Sequence, residues 1–79
     1  MAWRVVEHAE RRWNVSVAAE RQANSSQWNL VFAFRPVGPG QRAFWATYPL
    51  SSSSRAALFA KAEQISEDAL AAFLAEHLD

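Results

Sequence analysis

The chain has 79 residues, 51% of them hydrophobic and 13% aromatic, and its eight basic and eight acidic side chains give a formal net charge of zero. A composition this apolar excludes a disordered chain, and the length predicts a single domain over residues 1–79. The absence of cysteine excludes a disulfide framework and a thiolate metal site. Because the first residues lack the apolar run of a signal peptide and no stretch approaches the ~18–20 apolar residues of a membrane span, we expect a cytoplasmic protein with no membrane partner.

The two signs of charge are segregated along the chain. Residues 1–62 hold all eight basic side chains and three acidic ones, a net charge of +5, whereas residues 63–79 hold five acidic side chains and no base. This asymmetry indicates either a basic binding surface beside an acidic helix or a helix that complements a basic part of the sheet.

In two segments near the N-terminus, apolar and polar side chains alternate as they do in β-strands. Residues 3–8 alternate loosely and predict a short first strand, and the polar residues after it are few enough for a hairpin connection. Residues 12–20 predict a second strand, half-buried and antiparallel, because apolar side chains occupy one parity and mostly polar ones the other. The apolar set is Trp13, Val15, Val17 and Ala19.

The third strand, predicted over residues 27–35, is the centre of the expected sheet. Its largest side chains recur at every second position, and only strand geometry collects that spacing on one face. They are Trp28, Leu30, Phe32 and Phe34. Val31 and Ala33 would form the apolar floor of the opposite face. The segment 36–40 must be a loop, because it contains both glycines of the chain and two of its three prolines.

The fourth strand, predicted over residues 42–48 and ended by Pro49, is apolar on both parities. One set is Phe44, Ala46 and Tyr48, and the other is Ala43, Trp45 and Thr47. Pairing Phe34 with Ala43 would bury Trp45, whereas a one-residue bulge at the glycines would bury Phe44 and Tyr48. Both registers remain open at the level of sequence, and either one leaves aromatic side chains on the uncovered face.

Two C-terminal helices are predicted, over residues 53–63 and 66–78. Four consecutive serines offer N-caps for the first, and Ser66 caps the second, with Ile65 and Leu70 in the positions of a hydrophobic staple. One bent helix is the alternative, but a break at 64–66 is favoured. The fold class is therefore α+β: a four-stranded antiparallel β-meander covered on one face by C-terminal helices.

The sequence offers little for catalysis. The two histidines, His8 and His77, lie at opposite ends of the chain, and no His or acidic pair has a recognised metal-ligand spacing. The serines at 51–54 lack the glycines of a nucleophile elbow. We therefore expect no enzyme activity, no metal and no cofactor.

The uncovered face of the sheet is the candidate functional surface. Exposed aromatic side chains and arginines are enriched at protein–protein hot spots, so we expect a protein-interaction module, with a homo-oligomer or homodimer as its simplest form. Single-stranded nucleic acid is the alternative partner, because rings fringed by arginines can stack bases. The candidate binding residues are Arg12, Arg35, Arg42, Phe44, Trp45 and Tyr48.

Overall fold

The computed structural model describes residues 3–38, 40 and 42–78, and within them it shows one antiparallel sheet followed by two helices. The strands are β1 (Arg4–His8), β2 (Arg11–Arg21), β3 (Trp28–Pro36) and β4 (Phe44–Ser52), in the spatial order β1-β2-β3-β4. The helices are α1 (Arg55–Ala62) and α2 (Glu67–Leu78). The predicted α+β meander is confirmed; Pro39 of the predicted loop and the two ends of the predicted 1–79 domain lie outside the described residues.

The register between β3 and β4 selects one of the two predicted arrangements. Phe34 pairs with Phe44 and Ala33 pairs with Trp45. Because directly paired residues project to the same face, Phe44 joins the large side chains of β3, whereas Trp45 projects to the opposite face. Trp45 is the exposed ring of β4.

The prediction that Pro49 ends the fourth strand is wrong. β4 continues to Ser52. Leu30 of β3 pairs with Tyr48, and the preceding residue, Asn29, pairs with Ser51. The two extra residues of β4 form an irregularity in the ladder, and β4 is an edge strand. Proline is tolerated at such a position, where its missing N–H leaves no partner unsatisfied.

The core lies between the sheet and the two helices, and Phe32 is at its centre. The Phe32 ring lies 5.8 Å from Trp3, 6.0 Å from Phe34, 5.3 Å from Tyr48 and 6.0 Å from Phe73, measured between centroids. The largest fully buried side chains are Trp13, Leu30, Phe32, Phe34, Leu58, Leu70 and Leu74. The apolar faces that strand alternation and helix periodicity predict therefore pack together in one core.

Each helix begins at a serine N-cap. The Ser54 hydroxyl accepts a hydrogen bond from the Ala57 amide at 3.2 Å, and the Ser66 hydroxyl accepts one from the Ala69 amide at 3.0 Å. The favoured break at 64–66 is confirmed, since α1 and α2 are separate helices. Within the described part of the chain, neither helix has the length and apolar composition that crossing a bilayer requires.

The β1–β2 hairpin turns through two non-glycine residues with positive φ. Ala9 has φ 52° and Glu10 has φ 62°, and they connect His8 to its partner Arg11. Positive φ at both central positions is what a type I′ turn requires, and it suits the twist of the flanking strands. The conformation is costly for residues with a Cβ atom, and Ala-Glu is not among the residue pairs that signal such a turn in a sequence.

Trp3 and Arg4 connect the start of the sheet to the segment between the helices. Arg4 donates through Nη1 to the Ile65 carbonyl and through Nη2 to the Glu63 carbonyl at 2.9 Å. Trp3 donates from Nε1 to the Glu63 carboxylate at 3.1 Å, and the Arg4 guanidinium lies 4.2 Å from the centre of its ring. These contacts hold the helix pair against the covered face of the sheet.

Candidate interaction surface

The face of the sheet opposite the helices, here called the open face, has Trp45 as its one large exposed aromatic side chain among the described residues. Trp45 is 68% exposed. Its cross-strand neighbour Ala33 and the next residue on that face of β3, Val31, form an apolar floor beside it, and Val31 is only 7% exposed. The open face thus presents one bulky ring above a floor of small and β-branched side chains.

Two shallow hollows adjoin the Trp45 ring. One, of about 390 Å³, is lined on this face by Ala18, Glu20, Val31 and Thr47. The other, of about 350 Å³, is lined by Asn14, Ser16, Ala33 and Arg35. Because both are open to solvent and floored by small side chains, they are suited to receive side chains of another macromolecule rather than to enclose a small substrate.

The charges that the open face carries within β1–β3 are balanced. Strand alternation and register place Arg12 and Arg35 towards one end and Glu20 at the other, with Glu7 paired to Arg12. Arg12 and Glu7 form an ion pair at 3.8 Å with both side chains well exposed, a geometry that contributes little to stability. Arg35 is likewise exposed, and it lies across from Asn14 rather than an acid.

The structure brings three of the six predicted binding residues together on this face and separates the other three. Arg12, Arg35 and Trp45 project from the open face, whereas Arg42 is exposed in the segment that precedes β4. Phe44 and Tyr48 lie on the covered face, and both pack against the buried core. The aromatic part of the surface is therefore Trp45, which is one of the two alternatives that the sequence left open.

Ser16, Ala18, Glu20 and Thr47 belong to the open face but were not among the predicted binding residues. The signal was present, since the alternation in 12–20 already assigns the first three to the parity opposite Trp13. Sequence reasoning gave weight to large and basic side chains, whereas the floor of this surface is made of small ones.

The two histidines lie in different elements, His8 at the end of β1 and His77 near the end of α2. His77 packs its ring against Phe73 at 4.5 Å and places Nδ1 2.9 Å from the Phe73 carbonyl, a structural position within α2. His8 ends β1 opposite Arg11. Among the described residues, no group of three or more His, Asp and Glu side chains is arranged to hold a metal ion, and no charged residue is buried.

Comparisons with known proteins leave the geometry of the open face as the basis for a functional conclusion. No protein-family model, no curated protein and no solved structure matches this chain.

Proposed function

We propose that this chain is a protein-interaction module that binds its partner through the open face, with Trp45 as the anchor. The observation that carries the proposal is a tryptophan 68% exposed beside an apolar floor, on the one sheet face that the helices leave uncovered. Tryptophan is one of the residue types enriched among side chains that dominate binding energy. The expected cytoplasmic location and the expected lack of catalysis stay predictions within this proposal.

The energy available from Trp45 is sufficient for an anchor. Tryptophan buries 150–250 Å² when fully covered, so covering the exposed two-thirds of the ring removes roughly 100–170 Å² from water. At 25 cal/mol per Å² this amounts to about 2.5–4 kcal/mol. The floor adds shape complementarity more than energy, because Val31 is already 93% removed from solvent by the fold itself (7% exposed).

The distribution of basic residues favours a protein partner over nucleic acid. The basic side chains of residues 1–62 do not all lie on the open face: Arg4 binds the carbonyls between the helices, and Arg55 lies over the Trp28 ring at 5.4 Å on the other side of the sheet. The open face itself carries Arg12 and Arg35 against two glutamates. Nucleic-acid affinity grows with the number of phosphates that are neutralised, and this face neutralises few.

Site-specific photo-crosslinking in cells of the source organism tests the proposal. A photoreactive p-benzoylphenylalanine is placed at Thr47, exposed on the open face, and in a control chain at Ala60, exposed on α1. We expect protein adducts from position 47 and few from position 60, and we expect Trp45→Ala to reduce those from position 47. Equal or absent adducts would refute the proposal. Nuclease-sensitive adducts to nucleic acid from position 47 would refute it in favour of the alternative partner.

A further inference from the structure

We infer that the partner at the open face is a second copy of this chain, packed face to face about a two-fold axis that runs across the strands. In this arrangement Trp45 of each copy occupies the hollow beside Val31 and Thr47 of the other. The inference rests on the proposed function of the open face and goes further by identifying the occupant and its orientation.

The register of the sheet places complementary features at mirrored positions along the strands. Arg35 pairs with Asn14, and Glu20 lies six residues further along β2, paired with Asn29. At 3.3–3.4 Å per residue, the level of Arg35 and the level of Glu20 are about 20 Å apart. The midpoint between them falls between the cross-strand row of Trp45 and the row of Thr47.

A two-fold axis through that midpoint, lying in the plane between two sheets and across their strands, exchanges the two ends of the face. Arg35 of one copy then lies at the level of Glu20 of the second copy, one strand away, and the Trp45 row of each copy faces the Thr47 row of the other. The strands of the two sheets run in opposite directions, and the slight tilt that brings Arg35 over Glu20 keeps them within the ~30° of aligned sheet packing. An interface of this kind is isologous and closes at two copies.

The shapes at these mirrored positions are complementary. The hollow that faces Trp45 has a volume of about 390 Å³ and is floored by Ala18, Val31 and Thr47, with Glu20 and the neighbouring Trp45 also lining it. An indole ring fits within that volume. Each copy thus supplies one projecting ring and one hollow, which is the self-complementary pattern that an isologous interface needs.

The charges at these positions are also complementary. Arg35 and Glu20 are both exposed, and the face-to-face arrangement forms two Arg35–Glu20 pairs, one on each side of the axis. Within β1–β3 the face carries two arginines and two glutamates, so these charges of two copies meet without net repulsion. Opposed charges at an interface fix its register and its partner more than its affinity.

The area is consistent with a dimer of moderate strength. β3 has nine residues, and four strands about 4.8 Å apart over that length give a footprint of about 19 × 30 Å, roughly 600 Å² per copy. Standard stable interfaces bury about 800 Å² per partner, and smaller ones are weaker. The two copies together bury roughly 1,200 Å², at the low end of the size range, where weak or transient complexes are found, and we expect a dissociation constant in the micromolar range.

Charge reversal tests the arrangement by sedimentation equilibrium of the full chain at low salt. We expect Arg35→Glu and Glu20→Arg each to weaken self-association by about tenfold, because each variant places two like-charged pairs across its own interface. An equimolar mixture of the two variants should associate again, since both pairs across the mixed dimer are then opposite in sign. Lys61→Glu and Glu76→Arg, matched charge reversals on exposed helix positions, should leave association unchanged. Circular dichroism establishes that each variant is folded.

The outcomes separate this inference from the proposed function. A wild-type chain that stays monomeric up to about 500 µM overturns the inference. The inference also fails if the wild type dimerises but the equimolar mixture of the two variants does not. If either occurs while Thr47 still crosslinks to a different protein, the second copy is excluded and the interaction surface stands. If Thr47 yields no adducts either, both fail. Restored association in the mixture supports the two-fold arrangement.

Discussion

Replacing Arg4 with alanine tests whether the contact between β1 and the inter-helix segment is a main support of the fold. Arg4 binds the Ile65 and Glu63 carbonyls with two different guanidinium nitrogens, and it also lies against the Trp3 ring. Both carbonyls follow the last turn of α1, where helix carbonyls lack intrahelical partners. The substitution leaves them without the only side-chain donor that reaches them from the sheet among the described residues.

The magnitude follows from these contacts. A hydrogen bond from a charged donor contributes about 1.5–3 kcal/mol net, the one to Glu63 less because it is exposed, and an exposed cation–π contact about 0.5–1 kcal/mol. Allowing for water at the exposed bond, we expect Arg4→Ala to lower the free energy of unfolding by about 2–3 kcal/mol. A domain of this size is stable by only about 4–12 kcal/mol, so the melting temperature should fall by about 10–20 °C.

Urea denaturation followed by circular dichroism measures the effect at a concentration low enough to keep the chain monomeric. Arg42→Ala is the matched control, because Arg42 is exposed in the segment before β4, and it should change stability by less than about 0.5 kcal/mol. Arg4→Lys should fall between the two, since an ammonium group cannot span both carbonyls as the planar guanidinium does. Equal stability of the Arg4→Ala and Arg42→Ala variants would refute the reasoning.

Three further predictions concern local features of the fold, each measured by the same denaturation assay. Glu10→Gly should stabilise the protein by about 1 kcal/mol by relieving a positive φ, whereas Ala60→Gly in α1 should destabilise it by a similar amount. Trp13→Phe should cost only about 1–2 kcal/mol, because the buried Trp13 Nε1 has no hydrogen-bond partner among the described residues and only ring volume is removed. Ser66→Ala should cost about 1 kcal/mol through loss of the N-cap of α2, whereas Ser53→Ala should be nearly neutral.

Each of these three has a result that contradicts it. Destabilisation by Glu10→Gly would show that the Glu10 side chain contributes more than its backbone strain costs. A loss of more than about 3 kcal/mol in the free energy of unfolding of Trp13→Phe would indicate that Nε1 donates a hydrogen bond to a buried water. Equal effects of Ser66→Ala and Ser53→Ala would remove the capping explanation.

For the strands whose two faces differ in polarity, the buried face could be predicted from the sequence, whereas for β4, whose two faces do not differ, it could not. In 12–20 and 27–35, one parity is apolar and large, so burial fixes which side chains face the core. In β4 both parities are apolar, so the assignment of Trp45 depends on its pairing with Ala33. That pairing is set by how many residues the loop between the strands takes up, a property of the folded backbone.

Long-range polar contacts could not be predicted from the sequence for a different reason. Arg4 and its acceptor Ile65 are 61 residues apart, and no local pattern marks an arginine on the covered parity of a strand as a helix-binding residue. The β1–β2 turn was likewise unmarked, because Ala9 and Glu10 adopt a conformation for which glycine or asparagine is the usual signal. Neither feature is marked by a local pattern, so neither could be predicted from the sequence.

The free energy that Trp45 contributes to the fold can be compared with the free energy that it would contribute to binding a partner. With 68% of the residue exposed, the fold covers about a third of it. At 25 cal/mol per Å² that third is worth about 1–2 kcal/mol to the monomer, against about 2.5–4 kcal/mol for the exposed part once covered. Threonine at this position would keep the β-propensity of the strand and leave the covered core intact. A tryptophan here therefore has more free energy to contribute to association than to folding, and Trp45→Thr should weaken association much more than it lowers the stability of the monomer.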